Sequence, residues 1–148
     1  MTDPLNYIRT GFFNGFKGYD IVLISVDIWG LLEIENAFVQ LSQGLSFLGL
    51  STLQYLDETF RVDIKAYNDS GNSGLKQVDH GKFEWRLMEN KWHQFREMTT
   101  ALYRLGTSGH QFLNTETDAL KLDSLEVILS LNEYSLSFWR KHFEAFNS

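Results

Sequence analysis

The periodicity of apolar and polar residues divides the chain into strands and helices. Residues 19 to 26 (YDIVLISV) form a nearly continuous apolar run, which predicts a strand covered on both faces. From residue 28 to 43 the apolar positions recur at helical spacing, with Asp27 as the N-cap and Gly44 at the C′ position. The first half therefore begins its regular structure with a buried strand followed by an amphipathic helix.

The middle of the chain switches to a period of two. Residues 59 to 67 alternate apolar and polar side chains, which predicts a strand with one face exposed to water. The cluster NDSGNSG at 68 to 74 predicts a hairpin turn, and the hairpin would continue through KFEWRL at 82 to 87. Residues 45 to 57 leave two alternatives open, a short strand around Phe47 or a single helical turn.

Helical spacing returns in the last third. Residues 89 to 105 place their apolar side chains on one stripe, and Gly106 follows as a helix stop. Two strands are then expected, at 109 to 114 and 125 to 131. A short helix with a serine cap is expected to end the chain.

The leader, residues 1 to 18, carries three glycines within the segment GFFNGFKG. Glycine is costly in helices and strands, so this stretch is expected to be a loop. Its phenylalanines, Phe12, Phe13 and Phe16, are expected to pack onto the rest of the domain. The segment lacks the lysine and hydroxyl ending of a phosphate-binding loop.

These elements define an α+β fold in a single domain, 1 to 148. We expect one mixed or antiparallel sheet of about five to six strands, with two main helices packed mainly on one face and a short C-terminal helix. The two halves each contain a strand, a helix and then a strand or hairpin. They do not align residue by residue, so the sequence does not support counting a repeat.

Composition removes several classes of protein. The 148 residues include no cysteine, which excludes disulfides and thiolate metal sites. The formal net charge of −6 disfavours nucleic acid as a partner. The N-terminal residues lack a basic stretch and no apolar run reaches membrane-spanning length, so we expect no signal peptide, no membrane partner and a cytoplasmic location.

One histidine is a candidate for chemistry. His110 precedes or begins a strand, and it would lie near Glu126 or Glu133 if the last two strands pair. Together with Tyr134 these residues are the candidate ligand-binding or enzymatic site. The alternative is a half-buried histidine bonded to backbone or to a carboxylate. No zinc spacing and no nucleophile motif is present, so we predict no catalytic residue, metal or cofactor.

Aromatic residues make up 15% of the chain. Several have no obvious inward face, and Phe12, Phe13, Phe16 and Tyr67 are candidate partner-binding residues, because aromatic side chains dominate interface energetics. The alternative is that the leader and tail simply pack on the domain. A further hypothesis treats residues 59 to 67 as an open edge strand that pairs with another chain.

The C-terminal half resembles small bacterial proteins of no established activity. The resemblance is carried by residues 83 to 98, by Gly109-His110-Gln111, and by Asn132-Glu133-Tyr134. It departs from their pattern at Phe112 and Asn114, where tyrosine and aspartate would be expected. Some proteins of this kind look like immunity partners of bacterial toxins. The resemblance implies a compact cytosolic domain and no catalytic residues.

Acidity, aromatic content and the lack of catalytic motifs favour a non-enzymatic protein-binding module, immunity-like or homo-oligomeric. An acidic surface would attract a basic partner electrostatically. The alternative function is a small-ligand or enzymatic site around His110.

Overall fold

The computed structural model describes residues 6–16, 19–71, 73–113 and 125–147. Over these residues the α+β prediction is confirmed. The strands and helices follow one another in the order β1 (Ile8–Phe16), β2 (Tyr19–Val26), α1 (Ile28–Ser42), β3 (Phe47–Gly49), β4 (Asp63–Asn68), β5 (Gly74–Asp79), β6 (Lys82–Leu87), α2 (Glu89–Leu105), β7 (Gly109–Phe112), β8 (Glu126–Leu131) and α3 (Leu136–Asn147).

The described strands form two sheets instead of the single sheet of five to six strands that the sequence predicts. Sheet A has the order β1-β2-β8-β7, and sheet B has the order β3-β4-β6-β5. Each sheet is mixed, because β2 pairs with β8 and β4 with β6 in parallel, whereas the outer pairs are antiparallel. The prediction was wrong because each main helix carries the chain from one sheet to the other.

The two halves of the chain have the same topology. Each contains two antiparallel strands, a helix and two more antiparallel strands, so exchanging the halves exchanges sheet A with sheet B. Four buried positions in each main helix share the same spacing, in which successive positions are three, four and three residues apart. These positions are Leu31, Ile34, Phe38 and Leu41 in α1, and Trp92, Phe95, Thr99 and Leu102 in α2.

The main core lies between the inner faces of both sheets and the facing sides of α1 and α2. Phe38 of α1 has its ring centroid 5.9 Å from Trp85, 5.8 Å from Trp92 and 5.9 Å from Phe95. A second, smaller core lies on the outer face of sheet A, where α3 covers the strands and Trp139 is 1% exposed. The helices therefore do not all pack on one face.

The predicted helix ends are confirmed. Asp27 caps α1 by accepting a hydrogen bond from the Gly30 N–H at 2.8 Å. Gly44 follows α1 with a φ of +103°. The α2 helix ends at Gly106 in the left-handed conformation, with a φ of 74°. Ser135 directly precedes α3, and its hydroxyl oxygen accepts from the Phe138 N–H.

The predicted leader loop is wrong, since residues 8 to 16 form strand β1. Gly11 is required by close packing: a Cβ on this residue would lie 2.6 Å from the Trp139 ring. The glycines of this segment therefore do not indicate a loop. One of them makes room for α3.

The predicted hairpin turn at 68 to 74 is also wrong. The strands before and after it, β4 and β5, lie in one sheet but are separated by β6. The hairpin turn lies instead at His80 and Gly81, between β5 and β6, where Gly81 has a φ of +70°.

The segment from 45 to 68 differs from the prediction in two respects. Both alternatives for residues 45 to 57 occur, as strand β3 and a 3-10 turn at Leu50–Thr52. The predicted strand at 59 to 67 begins only at Asp63, after a 3-10 turn at Glu58–Phe60. It is β4, which is paired on both sides, so the hypothesis of an open edge strand there is wrong.

Candidate functional site

A row of polar residues crosses the outer face of sheet A. Arg9 lies opposite Ser25, Ser25 opposite Ser130, and Ser130 opposite His110. Opposed residues on neighbouring strands share a face. The next residues along this face, such as Leu23, pack in the smaller core under α3, so the row borders the covered part of the sheet.

His110 and Glu133 meet at one end of the row, as the pairing of the last two strands predicts. The His110 Nδ1 lies 3.0 Å from one carboxylate oxygen of Glu133 and 3.1 Å from the other. The Ser130 hydroxyl donates to the same carboxylate at 2.5 Å. The hydroxyl is thus bonded to the carboxylate and not to the imidazole, which differs from the relay that activates a serine nucleophile.

The other two residues of the predicted His110 site do not converge on it. Glu126 is four residues before Ser130 on β8, about 13 Å away along the strand. Tyr134 packs its ring 4.7 Å from that of Phe138, and burial together with the Glu133 carboxylate raises the pKa of Tyr134. Sequence reasoning missed Ser130, whose signal is a lone polar residue in an apolar strand.

A pocket of about 130 Å³ opens at the opposite edge of sheet A from His110, between β1, the segment 59 to 62, and α3. Its walls are mainly aromatic and aliphatic side chains. The apolar lining residues are Phe12, Phe60, Val62, Trp139 and Phe143. Neither His110 nor Glu133 lines it. The histidine site and the pocket are therefore separate.

The segment that forms one wall is held against β1 by three kinds of contact. The Asp57 N–H donates to the Ile8 carbonyl at 2.8 Å. The Nε of buried Arg9 donates to the Asp57 carboxylate at 3.1 Å. The Thr10 hydroxyl oxygen accepts from the Val62 N–H at 3.1 Å. These bonds position residues 59 to 62 relative to the sheet.

The α3 wall contributes an imidazole and an indole. The His142 ring stacks on Phe13 with centroids 3.7 Å apart. Burial lowers the pKa of His142, and a hydrogen bond with the Phe12 backbone opposes that shift. The imidazole is therefore mainly neutral at pH 7. Trp139 is buried, and its Nε1 has no hydrogen-bond partner among the residues that the structure describes.

The candidate partner-binding residues lie in different places. Phe13 is buried, with 7% exposure, and Phe12 is half-buried at the pocket wall. The side chain of Phe16 lies outside the described residues. Tyr67 is half-buried on sheet B, where the Arg86 guanidinium lies 4.0 Å above its ring. Phe12 and Phe13 thus pack inward, as the packing alternative predicts.

Sheet B has an acidic hollow of about 380 Å³ between the end of β4 and the start of α2. Asp69, Met88 and Glu89 line it, and Met88 is 41% exposed. A hydrogen bond from the Gly71 N–H, with help from Arg86, lowers the pKa of Asp69. Glu84 raises the pKa of Arg86. The Asp69 carboxylate is therefore ionised at neutral pH.

Within the described ranges, no group of three or more histidine, aspartate or glutamate side chains could hold a metal ion. No helix in the same residues is long and apolar enough to cross a bilayer. No protein-family model, curated protein or solved structure matches the chain.

Proposed function

We propose that this chain is a small-ligand-binding protein whose site is the pocket beneath α3. The observation that carries the proposal is the pocket itself, which is concave and lined by Phe60, Trp139, Phe143 and other apolar groups. Ligand sites are typically concave and mostly apolar, with a few polar groups that fix orientation. The site differs from the one around His110 that the sequence suggests.

The volume of the pocket indicates the size of the ligand. An apolar cavity of about 150 Å³ accepts a benzene molecule. The pocket of about 130 Å³ therefore suits a molecule with one ring or a short branched chain.

The lining favours binding over catalysis. Of the side chains described in the lining, one is an imidazole, that of His142, which is stacked on Phe13, and none is a carboxylate. An acid and base pair for proton transfer is thus not assembled there.

A thermal-shift titration with toluene tests the proposal. At ten times Kd, a ligand that binds only the folded state adds about 1.4 kcal/mol, which raises Tm by about 3–5 °C for a chain of this size. We expect Phe143→Ala to lose most of this rise, because Phe143 forms part of the wall and packs against Phe60.

Phe112→Ala is the matched control. Phe112 is 48% exposed, similar to Phe143 at 42%, but it does not line the pocket. Its variant should keep the toluene response of the wild type. The proposal is wrong if the wild type shows no rise, or if the two variants lose the rise equally.

A protein-binding module remains a second candidate function, favoured by the acidic hollow on sheet B. Exposed Met88 lines the hollow together with Asp69 and Glu89. Tyr67, which directly precedes the lining residue Asn68, packs on Phe47 with ring centroids 5.1 Å apart. Carboxylates beside apolar and aromatic groups suit a lysine or arginine of a basic partner. Self-association through the same surface would serve a homo-oligomer.

Affinity capture from cell extract at low and high salt tests this second function. We expect the wild type to capture a stoichiometric basic protein at low salt. The Glu89→Lys variant should not capture it, and high salt should release it. Glu97→Lys is the control, since Glu97 is exposed on α2 but does not line the hollow. Equal capture by both variants would contradict a role for the hollow.

A further inference from the structure

Among the described residues that line the pocket beneath α3, Arg61 is the one that carries a charge. The Arg61 side chain is exposed, and across the described ranges it forms no ion pair or hydrogen bond. An arginine at the edge of an apolar pocket can bind an anion with two parallel N–H bonds.

We infer that the ligand is a small apolar carboxylate, with its apolar body against Phe60 and Trp139 and its carboxylate on Arg61. This inference rests on the proposed function. It adds the chemical class of the ligand to the location of the site.

The local charge contrasts with the charge of the whole chain. The chain has a net charge of −6, yet the described residues that line the pocket include no aspartate or glutamate. The nearby Asp57 carboxylate is already engaged, because it accepts from Arg9 Nε and from the Thr59 N–H. Arg61 is therefore available to an anionic ligand.

The other polar side chains among the described lining residues are two hydroxyls and an imidazole. The hydroxyls belong to Thr10 and Thr59, and they carry no charge that would repel a carboxylate. His142 adds no competing charge, because burial lowers its pKa.

The test compares phenylacetate with its neutral analogue 2-phenylethanol by isothermal titration calorimetry. Both carry one ring, so only the charged head differs. We expect phenylacetate to bind about ten- to a hundredfold more tightly, the range for hydrogen bonds to charged groups. High salt should narrow the difference.

Arg61→Gln should remove the preference for the acid and leave the affinity for the alcohol unchanged. Arg104→Gln is the matched control, because Arg104 is exposed on α2 and does not line the pocket. It should keep the preference.

The outcomes separate the two proposals. If the alcohol binds as tightly as the acid, or if Arg61→Gln keeps the preference, the carboxylate inference is wrong and the small-ligand function stands. If neither compound binds, both are wrong.

Discussion

The outer faces of the two sheets have the same strand pairing but opposite chemistry. At equivalent positions of the parallel strand pairs, sheet A places Leu23 opposite Ile128, and sheet B places Glu84 opposite Lys65. The first pair is buried under α3, whereas the second is an opposite-charge pair on a face with exposed residues. One backbone arrangement thus supports a second core on one side and a polar surface on the other.

This difference between the two faces explains why the proposed ligand pocket lies on sheet A. The pocket lies at the border of α3, where helical side chains meet strand β1 without filling all of the space. Sheet B has no described helix on its outer face, and its hollow is open and acidic. The added helix, more than the duplicated scaffold, creates the apolar pocket.

The largest expected effect compares the two faces directly. Leu23→Ala should lower the free energy of unfolding by about 2–5 kcal/mol, because it leaves a cavity under α3. Glu84→Ala, at the equivalent place on sheet B, should lower the free energy of unfolding by less than about 1 kcal/mol, because the ion pair that Glu84 forms with Arg86 is partly exposed. Urea unfolding measures both, and similar losses would contradict the contrast.

The next effect compares the first turns of the two main helices. A Cβ on Gly30 would lie 2.1 Å from the Tyr7 carbonyl oxygen, so Gly30→Ala should cost about 1–3 kcal/mol through overpacking. Lys91 occupies the equivalent place in α2, and Lys91→Ala should change stability by less than about 0.5 kcal/mol. Chemical denaturation of both variants measures the two changes in the free energy of unfolding. A neutral Gly30→Ala would show that the segment before β1 does not contact α1 this closely.

A smaller effect concerns the caps of the same helices. Asp27 caps α1 and also accepts from the Asn6 and Tyr7 N–H groups, so Asp27→Ala should cost about 1–2 kcal/mol. Met88 precedes α2 and provides no side-chain cap. Met88→Ser should therefore stabilise the protein by up to about 1 kcal/mol, because a hydroxyl can cap the helix without adding a charge beside Asp69 and Glu89. Calorimetric Tm values measure both changes, and a loss of stability in Met88→Ser would contradict the comparison.

The smallest effect is a dependence on pH at the covered face. Burial lowers the pKa of His142 in the folded state, so the unfolded chain takes up its proton at a higher pH. Stability should therefore fall as the pH drops through the ordinary histidine value near 6.5, and level off below the folded pKa. His142→Phe should flatten this slope in denaturant melts, while His80→Gln, in an exposed turn, should keep it. An unchanged slope in His142→Phe would contradict the assignment.

Local features of the fold were predictable from the sequence, whereas the arrangement of the sheets was not. The bounds of α2 and the cap at Asp27 follow from residue spacing and short-range hydrogen bonding, which the sequence encodes directly. The separation into two sheets depends on which distant strands pair. The conformational propensity of Gly11 indicates a loop. The structure instead requires glycine at this place in β1 because the ring of Trp139, which is distant in sequence, packs against it.

The candidate site shows the same limit. The contact between His110 and Glu133 could be predicted, because β7 and β8 are neighbours in sequence and pair. The pocket could not, because Arg61 and His142 come from distant segments that meet only through the packing of α3. Hydrophobic periodicity gives the inward side of α3 but not the space left beside it.

An NMR titration with toluene tests most directly whether the pocket beneath α3 binds a small apolar molecule. The indole N–H signals of the tryptophans report the binding. Trp139 lines the pocket, and Trp29, which is 53% exposed and does not line it, is an internal control. If toluene binds in the pocket, the Trp139 signal should shift and saturate while the Trp29 signal stays in place. A Trp139 signal that does not move, or one that moves without saturating together with that of Trp29, would contradict it.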